Sequence, residues 1–310
     1  MSLNIVNKEV LSSDGIHTLK GKVYIPDTEI KGLFHLVHGM TEYIGRYDEF
    51  LRFMAESGYV AFAYDHLGHG ETGNATGELG FIAEKNGDKF LPEDVHVFGA
   101  EVRNDFPGKK CVLMGHSMGS FVVRNYAEKY ASEIAGLIIM GTGGPNPASK
   151  PGIALASVIK AFKGAKYVSP LVDNLAFGKF NDRTEKRTGS DWLSVDKENV
   201  DRFLSDDFCN FKFSVSAMID LIKMNDRCNR RAWAKSLPKE LPILLLAGDE
   251  DPVGDYGKGV TKVYNMLKNA DISDVSMKLY QGYRHEIMNE SDIREEVFSD
   301  ILDFTESKLK

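Results

Sequence analysis

Short apolar runs alternate with amphipathic stretches along most of the chain. This pattern is typical of a mostly parallel sheet with helices on both faces. The predicted strands are 21–25, 33–38, 59–64, 111–114, 135–140, 242–247 and 275–280. Helical spacing predicts helices within 46–59, over 89–104, directly after Ser117, over 261–267 and over 292–308. The order of elements therefore predicts an α/β fold.

The strand pattern is interrupted between residues 144 and 237. Apolar residues recur there at helical spacing in 153–164 and 213–224, and a third helix is predicted within 192–204. The insertion either only packs on the sheet or forms a lid over a ligand site. A lid is favoured because both flanks reach the sheet edge where ligands bind in open α/β folds. We therefore expect a core domain of residues 1–143 and 238–310 and a helical cap of residues 144–237.

Composition narrows the classes of function. The 310 residues are 43% hydrophobic, which is enough for a large core, and the net charge of −7 without a basic patch argues against nucleic acid as a partner. The three cysteines, Cys111, Cys209 and Cys228, have no CxxC spacing, so neither a disulfide framework nor a zinc site is expected. No apolar stretch has the length of a signal segment or a membrane span, so we expect a cytoplasmic protein without stable membrane insertion.

The candidate chemistry begins with a serine between two glycines. Gly115-His116-Ser117-Met118-Gly119 follows an apolar strand and precedes a helical run, which is the context of the G-x-S-x-G turn. A sharp strand-to-helix turn strains its central residue, and flanking side chains larger than hydrogen would clash with neighbouring elements. The alternative is an ordinary tight turn. The context predicts a nucleophilic Ser117 held above the sheet edge.

A serine nucleophile needs a base and an acid that orients it, and this turn type places them in the order serine, acid, histidine. Of the eight histidines, His285 is the one that follows Ser117 in the sequence. The acid is expected after strand 242–247, where Asp249, Glu250 and Asp251 compete. Asp251 is favoured because Pro252 keeps it extended at the start of a turn.

Acyl transfer also needs donors for the oxyanion. One is the N–H of the residue after the nucleophile, Met118, and the second comes from the loop after an early strand. His38-Gly39-Met40 follows strand 33–38, so the N–H of Met40 is the predicted second donor, with Gly39 allowing the backbone to approach.

Five segments together resemble the α/β-hydrolase superfamily, in particular its monoacylglycerol lipase and lysophospholipase branch, also grouped as serine aminopeptidase-like hydrolases. They are HGMTEYIGRY (38–47), DHLGHGET (65–72), GHSMGS (115–120), GDEDPV (248–253) and YRHEIMNE (283–290). Two positions depart from the branch's pattern: Tyr43 follows Glu42 where histidine is common, and Leu67 stands where arginine is common. The resemblance implies a helical cap after the sixth strand, no cofactor or metal, Ser117, Asp251 and His285 as catalytic residues, and Met40 and Met118 as oxyanion donors.

The resulting hypothesis is an esterase acting on single-chain lipid esters such as monoacylglycerols or lysophospholipids, with the oligomeric state left open. The expected substrate-binding residues are Gly39, His116, Ile153, Ile159, Met218 and Ile222. An aminopeptidase of the same fold is the second reading, in which cap carboxylates would hold the substrate ammonium; the candidates are Glu185, Asp191, Glu198 and Asp206. The third reading is a hydrolase fold that only binds its ligand, and the completeness of the motifs argues against it.

Overall fold

A single eight-stranded sheet organises the chain in a computed structural model that describes residues 3–309. Residues 1, 2 and 310, which the expected core domain includes, lie outside the described residues. The strands are β1 Asn4–Leu11, β2 Thr18–Ile25, β3 Gly32–Val37, β4 Tyr59–Tyr64, β5 Cys111–His116, β6 Gly136–Met140, β7 Ile243–Gly248 and β8 Val275–Tyr280. Their order in the sheet is β1-β2-β4-β3-β5-β6-β7-β8.

The sheet is mostly parallel, as the sequence predicts. Among the described strands, all pairs from β4–β3 to β7–β8 are parallel, and only β1–β2 and β2–β4 are antiparallel. The sequence prediction missed β1 because most of its side chains are exposed or half-buried on both faces, so it lacks the apolar alternation of a core strand.

Helices cover both faces of the sheet. They are α1 Asp48–Glu56, α2 Gly70–Asn74, α3 Gly87–Asp105, α4 Met118–Tyr130, α10 Lys258–Lys268 and α11 Arg294–Leu309 in the core region, with α5 to α9 between β6 and β7. Alternate residues of the central strands pack on opposite helices. Leu113 and Ile139 face the layer of α3, α4 and α10, whereas Val112 and Ile138 face α1 and α11.

The segment between β6 and β7 contains only helices and turns. Its helices are α5 Ser149–Lys163, α6 Pro170–Phe177, α7 Lys197–Ser205, α8 Val215–Cys228 and α9 Arg231–Ser236. Helix α8 packs on α3 and α4, and α5 packs on α8. Three of these helices match the predicted ones, while α6 and α9 were not predicted. Among residues 3–309, no helix combines the length and apolar character needed to cross a membrane.

Candidate active site

Ser117 lies in the tight turn between β5 and α4. Its backbone has φ 53° and ψ −120°, a conformation that non-glycine residues rarely adopt. The flanking glycines are required by close backbone approaches. A Cβ on Gly115 would lie 2.3 Å from the Gly119 carbonyl oxygen, and a Cβ on Gly119 would lie 2.1 Å from that of Val37. The strained turn and both steric reasons for glycine therefore agree with the sequence prediction.

The loops after β7 and β8 bring Asp251 and His285 together. His285 Nδ1 lies 2.9 Å from Asp251 Oδ2, and both side chains are buried. The second oxygen of Asp251 accepts the Val253 N–H at 2.8 Å. Burial alone would lower the pKa of His285, but the Asp251 carboxylate outweighs it and raises that pKa. This pairing holds Nδ1 protonated and leaves Nε2 free to act as a base.

Asp249, one of the two acids that competed with Asp251, forms a different contact. Asp249 Oδ1 accepts the Gly282 N–H at 2.6 Å, so this carboxylate closes the loop between β7 and β8. Of the two aspartates, Asp251 is the one that contacts the His285 ring.

Ser117 and His285 line the same cavity, although no hydrogen bond joins Ser117 Oγ to the imidazole within residues 3–309. Such bonds are often long in unliganded enzymes and shorten when substrate binds. The His285 ring lies 4.8 Å from the His116 ring and 5.2 Å from the Trp192 ring, measured between centroids. The His285 ring is thus held between the turn that carries Ser117 and the segment between β6 and β7.

The two predicted oxyanion donors flank the serine. Met118 is the first residue of α4, and Met40 lies in the loop after β3. In the described chain, neither amide donates to a protein carbonyl in a turn, loop or cap. A Cβ on Gly39 would lie 3.0 Å from Ser117 Cβ, so the Gly39–Met40 loop is adjacent to Ser117. Both N–H groups are therefore available near Ser117.

A cavity of about 710 Å³ opens above these residues. This volume lies in the range of sites for small molecules, about 300–1,000 Å³. Most of its wall is apolar and comes from the helical segment, including Leu155, Val172, Leu175, Phe177, Phe180, Met218, Leu221 and Ile222.

Three of the six predicted substrate-binding residues, His116, Met218 and Ile222, line this cavity. Gly39 lies beside Ser117 but donates its N–H to Glu42 Oε1 at 2.5 Å. Ile153 and Ile159 are not among the residues that line this cavity; they are half-buried against the core cluster that includes α8, and their part in substrate binding stays a prediction. Ile159 shares a face of α5 with Leu155, which does line the cavity, but lies one turn further along the helix, whereas Ile153 lies on another face.

The motifs contain polar residues whose positions the sequence reasoning missed. Arg46, from HGMTEYIGRY, binds Glu286, the residue after His285, through both guanidinium nitrogens at 2.5 and 2.7 Å. The two motifs are 240 residues apart, and nothing in either one indicates the pairing. Within residues 3–309, no group of three or more His, Cys, Asp or Glu side chains is arranged to hold a metal ion.

Fold and site together define an α/β-hydrolase with a serine at the turn after β5. Residues 28–292 match the family model described as serine aminopeptidase, S33, and the chain belongs to that family. The monoglyceride lipase of Homo sapiens is 28% identical over 302 residues, covering 94% of this chain and 88% of the relative. The monoacylglycerol lipase of Mycolicibacterium smegmatis is 27% identical and covers 86% of each chain.

A solved structure is also similar over the whole chain. It is a highly thermostable carboxyl esterase from Bacillus coagulans in complex with glycerol, which is 31% identical with a TM-score of 0.93 over 100% of both chains. The resemblance predicted from the motifs is confirmed: the protein is a monoacylglycerol lipase-like α/β-hydrolase.

Proposed function

We propose that the protein is a serine hydrolase that cleaves carboxylic esters of a single acyl chain, such as monoacylglycerols or lysophospholipids. The observation that carries the proposal is the cavity of about 710 Å³, which has an apolar wall and is lined by both Ser117 and His285. Transfer of an acyl chain from water to such an apolar wall would be favourable, and the ester carbon would then lie beside Ser117. The ester-cleaving relatives support the same substrate class.

The proposed mechanism uses an acyl-enzyme. His285 Nε2 takes the proton of Ser117 as Oγ attacks the ester carbonyl carbon, and the backbone N–H groups of Met40 and Met118 stabilise the oxyanion. The imidazolium then donates its proton to the departing alcohol, and the carbonyl re-forms as the acyl-enzyme. His285 next takes a proton from water, whose oxygen attacks the acyl carbon, and Ser117 leaves with that proton. Asp251 stabilises the imidazolium in both halves of the reaction.

The cap assignment of residues 144–237 is part of the proposal. Helices of this segment supply most of the apolar wall, so we propose that it selects the acyl chain. The cytoplasmic location expected from the sequence stays a prediction.

The aminopeptidase reading receives less support. It needs a carboxylate in the cavity that is free to bind a substrate ammonium. The four candidates, Glu185, Asp191, Glu198 and Asp206, do not line the cavity. Asp191 accepts from Thr188, and Glu185 binds Arg284. An ester with an apolar acyl group fits the wall better than an aminoacyl group does.

The test is hydrolysis of p-nitrophenyl esters of graded chain length, beside 1-monoacylglycerols and aminoacyl p-nitroanilides. We expect turnover of the esters and a decrease in kcat of about 10⁴-fold or more for Ser117→Ala or His285→Ala with folding intact. Faster turnover of the anilides than of every ester would refute the substrate class. Retained ester turnover in folded Ser117→Ala would refute the nucleophile.

A further inference from the structure

A buried group of charged and polar side chains connects the loops around the proposed catalytic residues. We call it the Arg46 network: Glu42, Arg46, Asn199 and Glu286. Arg46 is the one cation of the group, and the side chains of Arg46, Glu42 and Glu286 are 8%, 4% and 3% exposed. The ionised groups are therefore well shielded from water.

The first connection is to the loop of the proposed base. The two guanidinium nitrogens of Arg46 donate to the two carboxylate oxygens of Glu286 at 2.5 and 2.7 Å. A bidentate pair of this kind fixes both distance and orientation. Because Glu286 follows His285 directly, this contact restrains the backbone that carries the imidazole.

The second connection is to the loop of the proposed oxyanion donor. Arg46 also donates to Glu42 Oε2 at 3.2 Å, and Glu42 Oε1 accepts the Gly39 N–H at 2.5 Å. The peptide that follows Gly39 carries the N–H of Met40. Fixing the Gly39 amide therefore limits the directions in which the Met40 amide can point.

The third connection reaches the turn that carries Ser117. Tyr47 Oη lies within hydrogen-bond distance of two groups, 2.7 Å from Glu42 Oε1 and 2.7 Å from His116 Nδ1. His116 Nε2 lies 3.3 Å from the His285 carbonyl oxygen. A carbonyl only accepts, so this bond requires a proton on Nε2, and His116 ties the serine turn to the base loop.

The fourth connection comes from the segment proposed as the cap. On helix α7, the Asn199 amide nitrogen donates to Glu286 Oε2 at 2.7 Å, and its oxygen accepts from Arg46 at 3.1 Å. The ring of Phe203, on the same helix, lies 5.0 Å from the Arg46 guanidinium carbon. The position of α7 and that of the base loop are thus linked through Arg46.

Stability alone is a weak reason for such a network. A buried ion pair often contributes no more than apolar side chains of the same size, although removing one partner is costly. Burial would raise the pKa of Glu286, but Arg46 outweighs it and lowers that pKa, so the carboxylate stays charged. The network holds one cation and two carboxylates at the meeting point of three loops and the cap, where apolar packing could not set the hydrogen-bond directions.

We propose that Arg46 is a positioning residue that, through Glu42 and Glu286, sets the oxyanion loop and the His285 loop at their working separation. This proposal rests on the proposed ester hydrolysis. A shift of about 1 Å in such a site can change the rate by about 10²-fold. Loss of Arg46 is therefore expected to lower kcat far more than it changes KM.

The experiment measures kcat and KM on a short-chain p-nitrophenyl ester. The variants are Arg46→Lys, Arg46→Met and the double variant Arg46→Met/Glu286→Leu, with thermal unfolding of each. We expect Arg46→Lys to lose about 10-fold or more in kcat with KM within about threefold, because lysine keeps the charge but not the planar fork. Arg52→Met is the matched control on α1, because it removes an exposed pair with Asp48 and should leave kcat unchanged.

The pH profile separates positioning from charge. The carboxylates of Glu42 and Glu286 both raise the pKa of His285. Arg46→Met removes the cation that offsets these two negative charges, so the acidic limb of the kcat/KM profile should move to higher pH. The double variant restores the original net charge of one negative, so its limb should return to the wild-type pH while kcat stays low.

Two results would overturn the proposal. One is a folded Arg46→Lys with kcat and KM within twofold of wild type. The other is wild-type kcat in the double variant, which would mean that the network acts only through charge or stability. If Arg46→Met does not fold, Asn199→Leu and Arg46→Lys test the proposal instead. Each removes hydrogen bonds of fixed direction, while the positive charge at position 46 is kept. Wild-type protein without esterase activity would instead refute the proposed function.

Discussion

Replacement of Asp251 by asparagine tests the geometry of the proposed catalytic residues. The Asp251 carboxylate accepts two hydrogen bonds, from His285 Nδ1 at 2.9 Å and from the Val253 N–H at 2.8 Å. An asparagine has one oxygen and can satisfy only one of these donors. If the oxygen faces Val253, the amide NH₂ faces His285 and forces the tautomer with the proton on Nε2, which cannot accept the Ser117 proton.

The expected loss is large because the site is buried. Asp251 is 0% and His285 2% exposed. Water therefore cannot take the place of the Asp251 carboxylate in stabilising the His285 imidazolium. In a comparable triad the same replacement lowers kcat by about 10⁴-fold, which corresponds to about 5.4 kcal/mol. The acidic limb of kcat/KM should also move to lower pH, because the Asp251 carboxylate raises the pKa of His285.

The assay is steady-state hydrolysis of a p-nitrophenyl ester between pH 5 and 9, with circular dichroism to establish folding. Asp249→Asn is the matched control, because Asp249 lies in the same loop but accepts only from Gly282 among the described residues. A folded Asp251→Asn within 10-fold of wild-type kcat, or a loss of equal size in Asp249→Asn, would refute the reasoning.

Three further outcomes follow from the same structure. Ser117→Gly should be more stable to urea than Ser117→Ala by about 1–2 kcal/mol, because glycine alone relieves the strained φ of 53°. Equal urea midpoints for the two variants would argue against strain. Leu155→Trp should fill part of the cavity and so shift the preferred p-nitrophenyl ester to a shorter acyl chain. Val158 is exposed on the same helix, so Val158→Trp should not cause this shift; an unchanged chain-length profile in Leu155→Trp would contradict the cavity assignment. Burial and Asp88 raise the pKa of Asp220 from the ordinary value of 3.8 to about 7, so the stability this group contributes is fully present below about pH 4 and is lost progressively as pH rises through 7. Asp220→Asn should therefore gain about 1–3 kcal/mol at pH 8 and clearly less at pH 5, as measured by denaturant unfolding, and an equal gain at both would refute the titration.

The fold was predictable because its periodicity is local. The buried central strands carry continuous apolar runs, and the tight turn at Ser117 needs glycines that lie within two residues of it in the sequence. Strand β1 escaped prediction because it is an edge strand defined by its pairing with β2 rather than by burial.

The site was predictable only where chain order constrained it. A single histidine downstream of Ser117 left one candidate base, and the acid loop left a short choice. Leu155 and Ile159 are both apolar and share a face of α5, so the sequence could not show which of them reaches the cavity; the packing of α5 on α8 decides it. The Arg46–Glu286 pair spans 240 residues, and its register depends on the completed sheet.

Covalent labelling by a fluorophosphonate, mapped by mass spectrometry, tests most directly whether Ser117 is an activated nucleophile. The account predicts one adduct, on Ser117, formed in parallel with the loss of esterase activity and strongly slowed in folded His285→Ala. A folded and active protein that stays unlabelled at Ser117, or one inactivated by an adduct on another residue, would contradict it.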